Sequence, residues 1–163
     1  MKLLSYIALA TFALALSACS KSGGGDSIEL SDKSAINNVQ ECPKLDGKYI
    51  KVLERNSDGS VARSKSVEFN LTEGPDGQLI LNGDHNIKNV AVDGKIHQAQ
   101  TTSGEIPYRI QAYCTAGKLT LTVHAGSYGA ATEVVSLNGD SVTVETHGVG
   151  RASKISGTET YSK

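Results

Sequence analysis

Apolar and polar side chains alternate along the stretch 106–124. One face of the first strand carries Ile106, Tyr108, Ile110, Ala112 and Cys114. Ala116-Gly117 favours a tight turn, after which Leu119, Leu121 and Val123 continue the apolar face. A period of two with one apolar face is typical of half-buried β-strands. The stretch therefore predicts a β-hairpin with one buried face and one solvated face, the latter including Gln111, Thr120 and Thr122.

The same pattern recurs along the chain from Gly47 onward, with short apolar alternations between turn signals. The turn signals are Asp58-Gly59, the run 74–77, Asn82-Gly83, Asp93-Gly94, Ser103-Gly104, Ala116-Gly117 and Asn138-Gly139. Asn-Gly and Asp-Gly pairs favour the positive φ values of hairpin turns. We therefore predict an all-β domain, an antiparallel up-and-down meander of about 8–10 strands closed into a small barrel, with a sandwich as the alternative. Polar residues on the outward face indicate a soluble barrel rather than one that spans a membrane.

Two strands carry polar residues in the phase of the core. Arg63 and Lys65 share the phase of Val67, and Gln98 shares the phase of Ile96. If these side chains point inward together with Tyr108, the barrel interior has a few polar groups in aliphatic surroundings, which is typical of a ligand pocket. Alternatively, a bulge intervenes or the strands leave the core and run into solvent.

The N-terminal residues have the composition of a secretion signal. Lys2 precedes an apolar run of about fourteen residues, which is too short to span a bilayer comfortably. The sequence Leu16-Ser17-Ala18-Cys19 resembles the lipobox of bacterial lipoproteins. That resemblance implies a signal peptide at 1–18, acylation of Cys19 and, because Ser20 follows, delivery to the outer membrane. Ser20 leaves the leaflet open, and we expect the barrel to face the periplasm. An ordinary signal peptide is the alternative. We expect 19–41 to be the lipidated cysteine and a flexible tether, and 42–163 to be the barrel domain.

Cys42 and Cys114 are the cysteines that remain after such processing. Export to an oxidising compartment favours a disulfide bond between them. A reactive thiol pair is the alternative, although the sequence has no Cys-x-x-Cys motif.

Charge and motifs provide little support for nucleic-acid binding, metal binding or catalysis. The chain carries 16 basic and 17 acidic side chains, a near-neutral balance that argues against nucleic acid as a partner. The histidines His85, His97, His124 and His147 have no ligand spacing, so we predict no metal and no cofactor. Ser127 does not lie in a nucleophile elbow. We therefore expect a protein that is not an enzyme.

The loop 126–131 and the basic residues after Gly150 suggest a different role. Tyr128, flanked by small residues, is suited to protein recognition. The Tyr113-Cys114 strand end, the strands 117–123 and 137–144, and the segment around Arg151 together resemble periplasmic membrane-bound inhibitors of c-type lysozyme. That resemblance implies a lipoprotein barrel whose loops, here those of Tyr128 and Arg151, bind a protein.

A second resemblance concerns the start of the first strand. The segment 42–49, which ends in Gly47-Lys48-Tyr49, is similar to the Gly-x-Trp strand start of lipocalin-like barrels, with Tyr49 in the place of Trp. That resemblance implies a barrel that binds small apolar molecules. The main hypothesis is thus a lipid-anchored binding module for a small apolar or weakly anionic ligand, with Arg63, Lys65, Gln98 and Tyr108 as ligand-binding residues. The alternative is an inhibitor of a cell-wall hydrolase.

Overall fold

The computed structural model describes residues 27–83, 87–100 and 107–163. Within these ranges the chain forms ten antiparallel strands in one sheet. The strands are β1 (Asp46–Arg55), β2 (Val61–Glu73), β3 (Leu79–Gly83), β4 (Val90–Ala91), β5 (Ile96–Gln100), β6 (Pro107–Thr115), β7 (Lys118–His124), β8 (Gly129–Asn138), β9 (Ser141–Gly150) and β10 (Gly157–Ser162). Single turns of 3₁₀ helix lie at Val39–Glu41, Gly126–Tyr128 and Arg151–Ile155. The predicted all-β meander is confirmed.

The sheet curls into a nearly closed barrel. Its order is β4-β3-β2-β1-β10-β9-β8-β7-β6-β5, so the first and last strands pair and the seam falls between β4 and β5. Ile50 on β1 lies opposite Ser162 on β10. Across the seam, the amide of Gly94 donates to the carbonyl of Ala112 on β6 at 3.0 Å. Among the described residues, no helix is long and apolar enough to cross a membrane.

Turn residues explain why the strands connect as hairpins. Ala116 and Gly117 have φ values of 49° and 74°, the left-handed conformation that a tight β6–β7 turn requires. Asn138-Gly139 likewise joins β8 to β9. Asn82-Gly83, in contrast, is not a turn, because both residues still pair with β2, opposite Asn70 and Phe69. The predicted turn at Ser103-Gly104 lies outside the described residues.

The two ends of the barrel differ in how they are packed. At the lower end, where β1 and β7 begin, side chains from many strands fill the interior. These fully buried residues include Leu45, Tyr49, Leu81, Val92, Leu119 and Val142. At the upper end, where β2 and β10 begin, the β1–β2 hairpin extends beyond its neighbours, and residues 52–66 are exposed. The lower half is therefore a packed core, and any internal space lies toward the upper end.

A segment before the first strand closes the seam from outside. We call residues 31–42 the strap. The amide of Lys33 donates to Gly94 O at 2.8 Å, and that of Asn38 donates to Cys114 O at 2.8 Å. The Asn37 side chain bridges the seam, donating to Val92 O and accepting from the Cys114 amide, both at 2.9 Å. Part of the stretch predicted to be a tether, 33–41, is thus hydrogen-bonded to the barrel.

The strap ends at the predicted disulfide, which is confirmed. Cys42 and Cys114 are bonded, with their Cα atoms 5.2 Å apart. Glu41, next to this bond, accepts a hydrogen bond from the amide of Ala116 at 2.8 Å. The strap is therefore fixed to the lower end of β6 by covalent and polar contacts together.

The strap also changes the expected outer face of the hairpin β6–β7. The predicted inward residues Tyr108, Ile110, Leu119 and Leu121 are buried, as expected. Gln111, Thr120 and Thr122 are buried too, which corrects the prediction that they face solvent. The Gln111 amide donates to Ser31 O at 2.6 Å and Gly94 O at 2.7 Å, and the Thr122 hydroxyl lies 3.0 Å from that of Thr132. Hydrogen bonds within the protein therefore compensate for the burial of Gln111 and Thr122.

Candidate functional site

The upper half of the barrel contains a cavity of about 940 Å³. Its aliphatic and aromatic walls come from β2, β6, β7, β9 and β10, and the 3₁₀ turn Arg151–Ile155 lies at its mouth. The apolar residues that face it include Val67, Phe69, Ile87, Val123, Val144 and Ile155. This volume is within the upper part of the range of small-molecule sites, which are concave and mostly apolar.

A polar cluster lies on one side of the mouth. We define it as Lys51, Lys65, Glu159 and Tyr161. Both lysines donate to the same carboxylate oxygen, Glu159 Oε1, at 3.2 Å from Lys51 and 3.1 Å from Lys65. The Tyr161 hydroxyl donates to the other oxygen, Glu159 Oε2, at 2.8 Å. The cluster exists because β1, β2 and β10 are neighbours in the sheet, and each strand turns these positions inward.

The hydrogen bonds of this cluster favour the ionised carboxylate. The Tyr161 hydroxyl, followed by the Lys65 and Lys51 ammonium groups, lowers the pKa of Glu159 to about 2. Glu159 is therefore negatively charged at neutral pH, while two positive charges lie beside it. The polar cluster carries a net positive charge at the mouth of an apolar cavity.

The charge of Glu159 predicts a loss of stability in acid. Its pKa in the folded state lies below its ordinary value of 4.5, so its contribution is complete above about pH 5 and disappears as the pH falls toward 2. Because the Glu159 side chain is 34% exposed, solvent screens the interaction, and we expect a loss of about 1 kcal/mol. Urea unfolding at stepwise lower pH measures it.

The control for this measurement is a carboxyl group on the outer face of the barrel. Glu159→Gln should remove the acid-sensitive component, whereas Glu145→Gln, an exposed position on β9, should retain it. An equal acid response in the wild type and in Glu159→Gln would contradict the proposed ionisation of the cluster.

The structure separates the four residues predicted to bind a ligand. Lys65 and Tyr108 line the cavity, and burial raises the pKa of the Tyr108 phenol. Arg63 lies opposite Glu54 on the exposed part of the β1–β2 hairpin, where register shifts occur between Val52 and Arg55. No bulge lies between Lys65 and Val67, because the register with β1 is continuous from Asn70 to Ser64. Lys65 is therefore the inward cation, whereas Arg63 lies at the irregular, exposed end of the hairpin.

Gln98 faces outward rather than into the barrel. It pairs with exposed Arg109, whereas its neighbour His97 pairs with buried Ile110. Residues directly opposite in an antiparallel pair lie on the same face of the sheet. The apolar residue used to set the phase, Ile96, is itself 39% exposed and is on the outer face.

The two residues predicted to bind a protein lie together at the mouth. The Arg151 guanidinium lies over the ring of Tyr128, 5.3 Å from its centroid. Tyr128 is 48% exposed and also lines the cavity. Gly129, after Tyr128, has a φ of 107°, and a Cβ there would overlap the carbonyl oxygen of Val149, so the two loops approach closely. This close approach allows the cation–π contact.

Sequence analysis did not identify Lys51, Glu159 and Tyr161 as site residues. A signal was present in β10, where Glu159 and Tyr161 share one face and Thr158, Thr160 and Ser162 share the other. Nothing in the sequence indicates that β10 pairs with β1. That contact brings Glu159 to Lys51, which is 108 residues earlier in the chain.

The described part of the chain contains no group of three or more His, Cys, Asp or Glu residues that could hold a metal ion. His97 Nε2 lies 2.9 Å from Asp93 Oδ1 near the seam, and His85 lies outside the described residues. His97, His124 and His147 are not among the residues that line the cavity. The chemistry of the cavity therefore comes from its apolar walls and the polar cluster.

Fold and cavity define the class of structure: a nearly closed ten-stranded antiparallel barrel with a cavity open at one end. Comparison of the chain with protein-family models, curated proteins and solved structures finds no match. Inferences about function therefore rest on the geometry of the cavity and its mouth.

Proposed function

We propose that the protein is a binding module that holds a small, largely apolar ligand in the upper half of its barrel. The observation that carries this proposal is the cavity of about 940 Å³, whose walls are mostly apolar and include the charged residues Lys65, Glu68, Glu133, Lys154 and Glu159. Sites of this kind gain affinity from apolar burial and orientation from a small number of polar contacts. Binding without chemical conversion is the function that this arrangement supports best.

The proposed setting follows from the N-terminal sequence. We propose that Cys19 carries lipid, that it anchors the barrel to the outer membrane, and that the barrel faces the periplasm. Several acyl chains on one residue anchor a protein firmly, since each buried methylene contributes about 0.8 kcal/mol. A barrel held beside a membrane is well placed to receive apolar molecules.

Filling the cavity tests the proposal. In the double variant Val123→Trp/Val144→Trp, two indole rings would occupy the space between β7 and β9. We expect the affinity for a neutral apolar fluorescent probe, such as N-phenyl-1-naphthylamine, to fall at least about tenfold, a loss of about 1.4 kcal/mol. Probe titration followed by fluorescence measures this, and native mass spectrometry of the wild type shows whether a ligand copurifies.

The control places a similar bulk outside the barrel. Val52→Trp adds an indole to the exposed side of β1, where Val52 is 40% exposed, and should leave probe affinity unchanged. Circular dichroism must show that all variants are folded. Equal probe binding by the wild type and a folded double variant would refute a binding role for the cavity.

The stacked pair Tyr128–Arg151 favours a second candidate function, inhibition of a cell-wall hydrolase. An aromatic ring held by a guanidinium is a rigid anchor of the type that often dominates the binding energy of protein interfaces. If this is the function, the wild type should inhibit a c-type lysozyme in a turbidity assay, and Tyr128→Ala should weaken inhibition about tenfold or more. No inhibition at micromolar concentrations would exclude this enzyme class as the target.

A further inference from the structure

The charged side chains of the polar cluster lie nearer the mouth of the barrel than Tyr161 does. The Lys65 side chain is 54% exposed, and those of Lys51 and Glu159 are 35% and 34% exposed, so the charges lie at the rim. Tyr161, below them, is only 5% exposed. The site therefore changes from charged to apolar along the axis of the barrel, from the mouth inward.

The interior below the rim has no comparable charge on this wall. Val67 and Phe69 on β2 continue the cavity surface beneath Lys65, and Val144 on β9 lies directly opposite Glu159. Deeper still, the packed core of the lower half closes the barrel, and its members Leu119 and Val142 do not line the cavity. A ligand therefore enters with an apolar end first and leaves its other end at the rim.

The charge at the rim determines which chemical group is favoured at the outer end of the ligand. Two ammonium groups share a single oxygen of one ionised carboxylate, so one positive charge is not neutralised within the cluster. An ammonium group has three hydrogens to donate, and Lys65 uses one of them on Glu159. An anionic group beside Lys65 would accept the others in a charge-assisted bond. Lys154, on the 3₁₀ turn at the mouth, adds another cation to the cavity lining.

The acidic residues of the cavity lining limit where an anion fits. Glu133 lies on β8, opposite Thr146 on β9, which in turn lies opposite Gly157 at the start of β10. Glu68 accepts a hydrogen bond from the Asn70 side chain at 2.9 Å. Because three carboxylates, Glu68, Glu133 and Glu159, already line the cavity, further negative groups on a ligand are disfavoured, whereas a single one at the rim meets Lys65. The favoured ligand therefore has one anionic end.

We propose that the cavity binds a single-chain amphiphile, an acyl chain with one anionic head, with the chain inside the barrel and the head at Lys65 and Lys51. This inference rests on the proposed binding function and names its ligand class. A free long-chain carboxylate and an anionic lysophospholipid share this chemistry.

Chain-matched ligands test the inference. Dodecanoate, dodecanol and dodecylammonium differ only in their heads, and each is titrated below its micelle concentration at neutral pH by displacement of the fluorescent probe. We expect dodecanoate to bind at least about tenfold more tightly than dodecanol, and dodecylammonium to bind most weakly. Lauroyl-lysophosphatidylglycerol, with the same chain, distinguishes the two sources by whether it binds more or less tightly than dodecanoate.

Substitutions in the polar cluster test whether it causes the difference in affinity between dodecanoate and dodecanol. Lys65→Met should reduce the affinity for dodecanoate to that for dodecanol, and should leave dodecanol binding unchanged. Glu159→Gln releases both lysines from their shared carboxylate and should raise dodecanoate affinity severalfold. Lys118→Met, at the lower end of β7, removes an exposed lysine far from the mouth and should change neither affinity.

The outcomes are distinguishable. If dodecanol binds the wild type as tightly as dodecanoate, or if Lys65→Met leaves their ratio unchanged, the anionic amphiphile is refuted while the binding module stands. If no ligand of the series binds and the probe does not bind either, the proposed function itself is refuted.

Discussion

The double variant Cys42→Ser/Cys114→Ser should lose about 4 kcal/mol of unfolding free energy. The disulfide joins residues separated by 72 positions, and closing so long a loop restricts the unfolded chain strongly. In the folded state it also fixes the strap, whose hydrogen bonds to Val92, Gly94 and Cys114 cover the seam of the barrel. Urea unfolding, with the wild type measured under oxidising and reducing conditions, gives the loss.

Hydrogen exchange can locate the effect. Because the strap is anchored by Cys42, exchange in the double variant should increase most at the amides of Lys33 and Asn38, which bond the strap to the barrel, and of Gly94, which bonds across the seam. The control is Cys19→Ala, which removes the cysteine predicted to be lipidated and should leave the stability of the barrel unchanged. A double variant as stable as the wild type would show that the strap holds the seam without the disulfide.

Local sequence patterns predict the strands because their causes are local. Alternation places Ile110 and Leu121 on one face regardless of what lies beyond the hairpin, and Ala116-Gly117 defines the turn between their strands. The disulfide was predictable for a different reason: once Cys19 is set aside as the predicted lipid site, Cys42 and Cys114 have one natural pairing. These features require no knowledge of distant contacts.

Contacts between distant segments determine the site, and the sequence does not specify them. Lys65 and Glu159 are 94 residues apart and meet only because β1 lies between β2 and β10. Alternation alone also leaves open which face of a strand points inward. For β5, the pairing of His97 with Ile110 decides that question, and it places Gln98 outside. Lys65 was found because its phase follows Val67 and Phe69 on the same strand.

The burial of Gln111 depends on a distant segment of the chain and not on the local sequence pattern. Its alternation correctly places it on the outer face of β6, but the strap covers that face. The Gln111 amide donates one hydrogen bond to Ser31 O in the strap and one to Gly94 O across the seam. A polar residue at the surface of the sheet thus becomes an internal contact of the protein. Only the position of the strap, 80 residues earlier in the chain, reveals this.

Tyr49→Ala should destabilise the protein by about 4 kcal/mol, the usual cost of deleting a fully buried aromatic ring. Tyr49 is 1% exposed and packs in the lower core, where the resemblance to lipocalin-like barrels expects a Trp. Its hydroxyl also helps, after Lys163, to lower the pKa of Asp46 at the exposed start of β1.

Two further variants separate the contribution of the ring from that of the hydroxyl. Tyr49→Phe keeps the ring and should cost less than about 1 kcal/mol, because it removes only a hydrogen bond at the surface. Tyr128→Ala, which deletes an exposed ring at the mouth, should cost still less. Urea unfolding of the three variants measures these differences. If Tyr49→Phe were as destabilising as Tyr49→Ala, the bond to Asp46 rather than burial of the ring would hold β1 in place. If Tyr49→Ala were nearly neutral, the lower half of the barrel would not be the packed core that closes the cavity from below.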